Sequence, residues 1–437
     1  MKHLIVVSVD AMVFEDLELA RTLPAFSKIL DGASLIERVR TIYPSVTHPV
    51  HATLITGAPA GDTGIVNNFH FYKDTPEKSG VWFNELADIK CDTLLHAAKR
   101  NGLTTAACTW PLTTKASGLI DYLVPGMMND YFLGYEENPI DAFKLYGASE
   151  CLIDIIEEGI KRHGYLDVHP SVDDFQFYCA SEILKRYKPN LMLIHPGFVD
   201  NRRHLSGVFS KAVDEAIIST DRWLGILLDA IKEAGIENDT GICVLSDHGQ
   251  INITRSLSPN VYFYDEDLIK TDEDGRITDW LAYSASAGAS AQVYLKDKSD
   301  KSLYDRVYTL LTNMKNEGIY GIGEVLTASE AEERYSLYGD FSFVIDTDGY
   351  TSFGEWLSRP SVRGYDFTDY RYGRGTHGQL PHIGPQPIFI VNGPAFKSGV
   401  IIENGDILNH APTLASALGI SLKDAKGKPV YELLNNC

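Results

Sequence analysis

The chain has 437 residues, which is enough for one large α/β domain with insertions or for two to three ordinary domains. It carries 39 Lys and Arg residues against 59 Asp and Glu residues, so its formal net charge of −20 disfavours DNA or RNA polymers as partners. A small anionic substrate is compatible with this charge only where local cations, most simply metal ions, reverse the field at its site.

The apolar runs and the cysteine pattern also indicate the cellular compartment. The apolar run before Asp10 is too short for the core of a signal peptide, and no run approaches the roughly 18 apolar residues of a membrane span. The six cysteines are scattered without CxxC spacing, which is typical of reduced thiols. We therefore expect a cytoplasmic protein without a membrane partner, and the sequence leaves open whether it is a monomer or a homodimer.

Apolar runs rich in β-branched residues alternate with amphipathic patterns along the chain. The runs are typical of buried parallel strands, and the amphipathic patterns are typical of helices packed on a sheet. The predicted strands cover residues 4–10, 103–110, 191–200, 241–247 and 386–396. The predicted helices cover residues 17–30, 92–101, 180–187, 211–235 and 407–420. This alternation predicts an α/β fold with a doubly wound, mostly parallel sheet flanked by helices.

Two segments interrupt the alternation. Residues 115–175 are rich in Tyr, Asp, Glu and Gly, and we expect them to form a cap insertion. Residues 251–376 mix strand-like and helix-like patterns, which predicts an inserted α+β subdomain. We expect residues 1–437 to form one domain that carries both insertions.

The pattern of residues 41–57, TIYPSVTHPVHATLITG, predicts a buried segment that leads into a helix beginning near Thr47. Pro49 fits the first helical turn, where a missing N–H is tolerated. The free N–H groups and the dipole at such a helix start favour a phosphate or a developing oxyanion beside the Thr47 hydroxyl. Thr47 is therefore either a nucleophile or only the N-cap of its helix.

Three acids stand where predicted strands end: Asp10, Asp200 and Asp247. In an open parallel sheet this edge is where sites assemble. The histidines that accompany the acids are His204, His248 and His377. Asp and His are both good zinc ligands. Each acid alone could be a helix cap and the D-x-x-x-H spacing at 200–204 could arise by chance, whereas the SDHG motif at 246–249 is more specific.

The other histidines give weaker signals. His195, His382 and His410 lie near these motifs and could support ligands or fill the core. His48 and His51 lie on the helix of Thr47, and either a functional or a structural role fits them. We expect the remainder to be structural or surface residues: His3, His70, His96, His163 and His169.

Taken in order, the motifs resemble those of the alkaline phosphatase superfamily, most closely its nucleotide pyrophosphatase/phosphodiesterase branch, with phosphonoacetate hydrolases as a sister group. The motifs are VSVD, T-x-P-x-H-x-T-L-x-T-G at 47–57, GIVNN at 64–68, WP at 110–111, D-x-x-x-H-x-x-G at 200–207, SDHG, HG at 377–378, GPAF and APTLASALGI. The resemblance covers nearly the whole chain and implies a single catalytic domain with an alkaline phosphatase-like fold.

This resemblance implies two zinc ions, with manganese as an alternative. By position, one ion would be held by Asp200, His204 and His377, and the other by Asp10, Thr47, Asp247 and His248. Thr47 would be the nucleophile and would form a phosphothreonine intermediate. Asn68 would donate its amide to a phosphate oxygen, helped by the backbone N–H near His48.

Departures from the family pattern concern the substrate. His48 stands where the phosphodiesterase branch usually has a phenylalanine that stacks on a nucleobase. Phe69, Phe71 and Tyr72 could replace that aromatic surface or simply pack against the cap. Lys115 is the candidate for the lysines with which phosphonoacetate hydrolases bind their substrate, and it could equally be a solvated surface residue.

The prediction is a zinc-dependent hydrolase that cleaves phosphodiester or pyrophosphate bonds in small nucleotide-like substrates. The alternatives are a phosphonoacetate or other phosphonate hydrolase, a phosphomonoesterase, and a metal-dependent phosphomutase. A non-catalytic binding protein is disfavoured because the full ligand set and the nucleophile are present.

Overall fold

A large sheet with helices on both faces organises the protein. The computed structural model describes residues 1–76, 79–126, 134–135, 138–164 and 168–435. Within them, eight strands form this sheet: β1 (His3–Ser8), β2 (Ser34–Arg40), β3 (Thr105–Cys108), β4 (Tyr122–Val124), β5 (Leu191–Ile194), β6 (Thr240–Leu245), β18 (Phe389–Asn392) and β19 (Ile401–Asp406). Their order is β19-β2-β18-β6-β1-β5-β3-β4. Strand β18 runs antiparallel to β6 and β2, and the other pairings are parallel.

Alternating side chains of the central strand explain why both faces are covered. All six residues of β1 are buried, as a strand between two layers of helices requires. Leu4 and Val6 belong to one apolar core, whereas Ile5 and Val7 belong to the other. Because successive strand residues point to opposite faces, the sheet is covered on both sides. The predicted doubly wound, mostly parallel α/β fold is confirmed.

Helices line the two faces of this sheet. They are α1 (Leu17–Ala20), α2 (Pro24–Leu30), α3 (Thr47–Thr56), α4 (Ala60–Thr63), α5 (Leu94–Arg100), α6 (Pro139–Leu145), α7 (Ile153–His163), α8 (Ser171–Tyr187), α9 (Phe198–Ser206), α10 (Lys211–Glu233) and α14 (His410–Ala417). The single helix expected over 17–30 is wrong: Pro24 lacks an N–H and begins a second helix. The helix expected over 180–187 begins earlier, at Ser171.

The segment from residue 251 to residue 376 folds into smaller sheets of its own. Its strands are β7 (Ile251–Asn252), β8 (Arg255–Leu257), β9 (Ile269–Thr271), β10 (Ile277–Trp280), β11 (Ala282–Ser286), β12 (Ser290–Leu295), β13 (Ile322–Thr327), β14 (Phe343–Thr347), β15 (Thr351–Phe353), β16 (Val362–Arg363) and β17 (Gly375–Thr376). Its helices are α11 (Pro259–Asp265), α12 (Lys301–Glu317) and α13 (Ala328–Tyr335). Strands β11, β12, β14 and β13 form an antiparallel sheet in that order.

The segment from 115 to 175 is partly built into the central layers. Strand β4 pairs with β3 at the edge of the large sheet, and α7 packs on α8 in the second core. Part of the segment, residues 127–133, 136–137 and 165–167, lies outside the described residues. The division into cap and subdomain stays a prediction.

Two further observations concern compartment. Cys91, Cys108, Cys151, Cys179 and Cys243 carry free thiols. No helix within the described ranges combines the length and apolarity needed to cross a bilayer. The cytoplasmic location stays a prediction.

Candidate active site

The carboxyl ends of the central strands bring the expected residues to one place. Asp10 lies two residues beyond β1, Asp247 lies two residues beyond β6, and helix α9 after β5 carries Asp200. A cavity of about 260 Å³ opens there, and Asp10, Thr47 and Asp200 contribute to its lining. This is the edge where open parallel sheets form their sites.

One ligand cluster consists of Asp200, His204 and His377. Asp200 and His204 are one helical turn apart on α9, so both side chains face the same side; His204 Nε2 lies 3.2 Å from Asp200 Oδ2. His377 follows β17, and its Nε2 lies 3.9 Å from Asp200 Oδ1. The His204 Nδ1–H donates to the Gly375 carbonyl at 2.8 Å, which leaves Nε2 as the ligand atom.

A second cluster consists of Asp10, Asp247 and His248. His248 Nε2 lies 3.2 Å from Asp247 Oδ2 and 3.6 Å from Asp10 Oδ1. The backbone N–H groups of Ala11 and His248 donate to Asp247 Oδ1, so Oδ2 is the oxygen that faces the cluster. The rings of His248 and His377 stack with centroids 4.0 Å apart, which places the two clusters side by side.

The two clusters have the chemistry of cation sites. Asp10 Oδ1, Asp247 Oδ2 and His204 Nε2 are buried without a hydrogen-bond partner among the described residues, and each unpaired polar atom costs about 1–3 kcal/mol. Burial, with the nearby carboxylates of Asp200 and Asp247, raises the pKa of Asp10 well above its ordinary value. A bound cation would pair these atoms and keep the carboxylates ionised. The residues present therefore fit metal ions.

The structure brings the acids and histidines of both expected sets together, and neighbouring histidines contact them; their role as metal ligands stays a prediction. His195 Nε2 lies 3.0 Å from Asp10 Oδ2. Burial lowers the pKa of His195 to about 4, so a neutral ring donates this hydrogen bond at neutral pH. His51 Nδ1–H donates to the Thr47 carbonyl at 2.8 Å and lies 3.5 Å from Asp247 Oδ2.

Thr47 is the first residue of α3, and Val46 occupies the cap position. The interpretation of Thr47 as only an N-cap is therefore wrong. Its Oγ1 lies 3.3 Å from His248 Nε2, and Thr47 lines the cavity. A hydroxyl at a helix start, next to an imidazole of one cluster and in a cavity that residues of the other cluster also line, is placed to act as a nucleophile.

Asn68 lines the same cavity as Thr47 and has a fixed orientation. Its Oδ1 accepts the backbone N–H of His48 at 2.9 Å, and its Nδ2 lies 3.4 Å from the Tyr370 hydroxyl. The His48 N–H donates to Asn68 and so orients its amide, and the expected help of this N–H in binding phosphate stays a prediction. Nδ2 remains the donor of the amide, on the side of Tyr370, another residue of the lining.

The aromatic surface differs from the one that the sequence suggested. Phe71 stacks on Tyr294 at 3.8 Å, and Tyr72 is 39% exposed. Phe69 packs against Trp82 with centroids 4.5 Å apart. Trp82 itself lines the cavity, together with residues 48 and 370. Sequence reasoning missed Trp82, which belongs to no periodic pattern or motif.

His48 and Tyr370 complete this aromatic wall. The His48 ring lies 4.9 Å from that of Trp82, and the Tyr370 ring lies 6.0 Å from it at 30°. Burial lowers the pKa of His48 to about 4, so the ring is neutral at pH 7. Tyr370 comes from the segment expected to be a subdomain, and no sequence signal distinguished it from the other tyrosines. A neutral, partly aromatic wall beside Asn68 suits a flat apolar group.

Two further residues for which the sequence gave an expectation are Lys115 and His169. Lys115 Nζ pairs with Glu85 Oε1 at 2.5 Å and does not contribute to the described lining of the cavity, so its substrate-binding role stays a prediction. His169, expected to be a surface or structural residue, lines the cavity near Gly197, and that expectation stays a prediction. Its place on the wall depends on packing that the sequence does not reveal.

A sheet of this topology, with a hydroxyl at a helix start beside two clusters of acids and imidazoles, defines a member of the alkaline phosphatase superfamily. Residues 4–379 match the family model described as type I phosphodiesterase / nucleotide pyrophosphatase, and the chain belongs to this family. Members of the family depend on metal ions, in keeping with the two clusters.

Individual relatives support this assignment. The chain is 23% identical over 447 residues to a venom phosphodiesterase of Naja atra, covering 99% of this chain and 46% of the relative. It is 22% identical over 450 residues to human ectonucleotide pyrophosphatase/phosphodiesterase family member 1, covering 94% and 40%. The chain thus spans less than half the length of these curated relatives.

Solved structures share the fold. An inactive variant of murine ectonucleotide pyrophosphatase/phosphodiesterase 5 in complex with AMP aligns with a TM-score of 0.69 and 20% identity, over 100% of both chains. The human member 5 aligns with the same TM-score, identity and coverage.

Proposed function

We propose that the protein is a two-metal hydrolase that cleaves phosphodiester or pyrophosphate bonds in small nucleotide-like substrates through a phosphothreonine intermediate. The observation that carries this proposal is the position of Thr47 Oγ1, 3.3 Å from His248 Nε2, in a cavity that Asp10 of one cluster and all three residues of the other also line. Two adjacent cation sites flanking a nucleophile are the arrangement used for in-line displacement at phosphorus.

The ligand sets proposed for the two ions are those described above, with Thr47 added to the Asp10 cluster. When bound, two zinc or manganese ions would neutralise phosphate charge and lower the pKa of the Thr47 hydroxyl. Thr47 Oγ then attacks phosphorus and becomes esterified. The Asn68 amide donates to a nonbridging oxygen, where charge develops. His51 holds the Thr47 carbonyl, and His195 holds Asp10.

The cavity favours a small substrate with a flat group. A volume of about 260 Å³ admits a substrate of nucleotide size rather than a folded polymer. Trp82 and Tyr370 give it an aromatic wall, on which a nucleobase would stack. The AMP bound by the murine member 5 supports the same substrate class here.

The test compares substrates on the zinc-loaded protein. We expect faster hydrolysis of the p-nitrophenyl ester of thymidine 5′-monophosphate than of p-nitrophenyl phosphate or phosphonoacetate. Thr47→Ala is the control, because it removes the nucleophile and leaves the carboxylate and imidazole ligands of both clusters in place. A preference for the monoester or for phosphonoacetate would overturn the assignment as a diesterase, and unchanged turnover by Thr47→Ala would overturn the covalent route.

A further inference from the structure

A tyrosine of the long segment after β6 reaches the part of the cavity that holds Asn68. Tyr370 lines this cavity together with Thr47 and Asn68. Its hydroxyl oxygen lies 3.4 Å from Asn68 Nδ2, which donates to it. Its ring lies edge-on to that of His204, with centroids 5.1 Å apart, and its centroid lies 6.0 Å from that of His377. The phenol thus adjoins both the amide assigned to phosphate and two histidines of one ligand cluster.

The hydrogen of the Tyr370 hydroxyl is left for a bound molecule. An amide nitrogen only donates, so the hydroxyl oxygen is the acceptor in its contact with Asn68. None of the described residues accepts a hydrogen bond from this O–H in turn. A phenol keeps its proton at neutral pH. The O–H can therefore donate to a group that enters the cavity.

The Asn68 amide also has a hydrogen to spare, so the two side chains form a pair of donors. Nδ2 carries two hydrogens and gives one of them to Tyr370. Two donor atoms 3.4 Å apart can both lie within about 3 Å of a single oxygen atom. Donors that are in place before the substrate binds need no reorganisation when charge develops on that oxygen.

Charged contacts hold the turn that carries Tyr370. Asp369 Oδ1 accepts the Arg371 N–H at 2.9 Å, and Asp369 Oδ2 accepts from the Arg371 guanidinium at 2.7 Å. The same guanidinium lies over the ring of Phe69, 5.4 Å from its centroid. Because Phe69 directly follows Asn68, this contact joins the two segments that supply the donors. The distance between the Tyr370 hydroxyl and the Asn68 amide is thus supported from outside the cavity.

We propose that Tyr370 is a catalytic residue whose hydroxyl donates to the nonbridging phosphate oxygen that also accepts from Asn68. This inference rests on the hydrolase function proposed above. As Thr47 Oγ attacks phosphorus, charge develops on the nonbridging oxygens, and both donors strengthen their hydrogen bonds to one of them. Tyr370 keeps its proton throughout, so its contribution is electrostatic. Its hydroxyl thus acts at phosphorus, while its ring remains part of the aromatic wall.

The test uses the p-nitrophenyl ester of thymidine 5′-monophosphate and its two phosphorothioate diastereomers, in which sulfur replaces one or the other nonbridging oxygen. Tyr370→Phe keeps the ring and removes only the donor. We expect this variant of the metal-loaded protein to lower kcat about 10²-fold on the oxygen ester and on one diastereomer. On the other diastereomer sulfur stands where the donors point, and it accepts hydrogen bonds poorly, so the loss should be less than about threefold.

Tyr372→Phe is the matched control. Tyr372 lies in the same turn, its ring packs edge-on against Trp356 with centroids 5.7 Å apart, and it does not contribute to the described lining of the cavity. It should leave kcat on all three esters nearly unchanged. KM of Tyr370→Phe for the oxygen ester should also change little, because the ring of the wall remains.

The outcomes separate this inference from the proposed function. An unchanged kcat of Tyr370→Phe on the oxygen ester would overturn the inference and leave the hydrolase function standing. Equal losses on the two diastereomers would also overturn it, because a donor to one oxygen must distinguish them. Both diastereomers are measured on one preparation, so a partial loss of folded protein does not alter their ratio. If the wild type hydrolysed none of the three esters, the hydrolase function would fall, and this inference with it.

Discussion

The Asn68 side chain offers a test in which catalysis and stability separate. Its Oδ1 accepts the His48 N–H at 2.9 Å, while Nδ2 lies on the side of Tyr370. Asn68→Asp keeps an acceptor for this N–H but replaces the donor with a negative oxygen. Asn68→Ala removes both, and leaves the buried N–H of His48 without this partner. The two variants therefore share the loss of the donor and differ in the hydrogen bond that supports the helix start.

The expected magnitudes follow from these contacts. Loss of one donor to a developing oxyanion costs about 10²–10³ in kcat, or about 3–4 kcal/mol of transition-state stabilisation. Both variants should show at least this loss. Asn68→Ala should in addition lower the free energy of unfolding by about 1–3 kcal/mol, because a buried N–H loses its acceptor. Asn68→Asp should lower it less.

The assay measures kcat and KM on the p-nitrophenyl ester of thymidine 5′-monophosphate, together with urea unfolding. Asn260→Ala is the control, since the buried Asn260 side chain donates to the Ser284 carbonyl and accepts the Ser284 N–H, and Asn260 does not contribute to the described lining. It should reduce stability and leave kcat of the folded protein nearly unchanged. The reasoning is refuted if Asn68→Asp keeps kcat within about threefold of the wild type.

Three further predictions concern the nucleophile, the aromatic wall and the core. Thr47→Ala should abolish turnover, and acid-quenched wild type should show a phosphate adduct on the peptide containing Thr47 by mass spectrometry; an adduct elsewhere contradicts the mechanism. Trp82→Ala should weaken binding of the thymidine ester by about 1–3 kcal/mol, seen as a raised KM, with little effect on p-nitrophenyl phosphate; equal effects on both would argue against stacking. Burial lowers the pKa of His410 from 6.5 to about 3, so below pH 6.5 the unfolded chain binds a proton that the folded chain does not, and stability falls as pH falls. Between pH 6.5 and pH 5 this costs up to ~2 kcal/mol, which His410→Leu should remove; an unchanged pH dependence of urea unfolding would contradict this.

The sequence predicted the parts of the fold that local pattern determines. Apolar runs located β1, β5 and β6, because a strand buried on both faces needs continuous apolar residues. The spacing of Asp200 and His204 predicted a shared helical face, and α9 provides it. The acids of both clusters meet because residues that follow parallel strands lie at one edge of the sheet, whereas His377 follows β17 of a small antiparallel pair.

The residues that the sequence did not reveal depend on packing between distant segments. Trp82 and His169 reach the cavity from loops whose direction is set by contacts far along the chain, and neither lies in a periodic pattern. The orientation of Asn68 depends on a hydrogen bond to residue 48, which no motif records. The sequence does contain the signal for the helix break at Pro24, because proline disrupts a helix interior and is favoured in the first turn of a new helix.

The short pairing of β7 with β17 has a consequence for how this family can diversify. Ile251–Asn252 lie beside Gly375–Thr376, so the long segment between them leaves and returns at adjacent points. His248 precedes this junction and His377 follows it, with their rings 4.0 Å apart. The ladder helps to hold the two rings at this distance, together with the hydrogen bond that the Ala289 N–H donates to the His377 carbonyl at 2.7 Å. Natural selection can therefore lengthen, trim or exchange the outer part of that segment, and so change which molecules are accepted, while the reaction centre stays as it is.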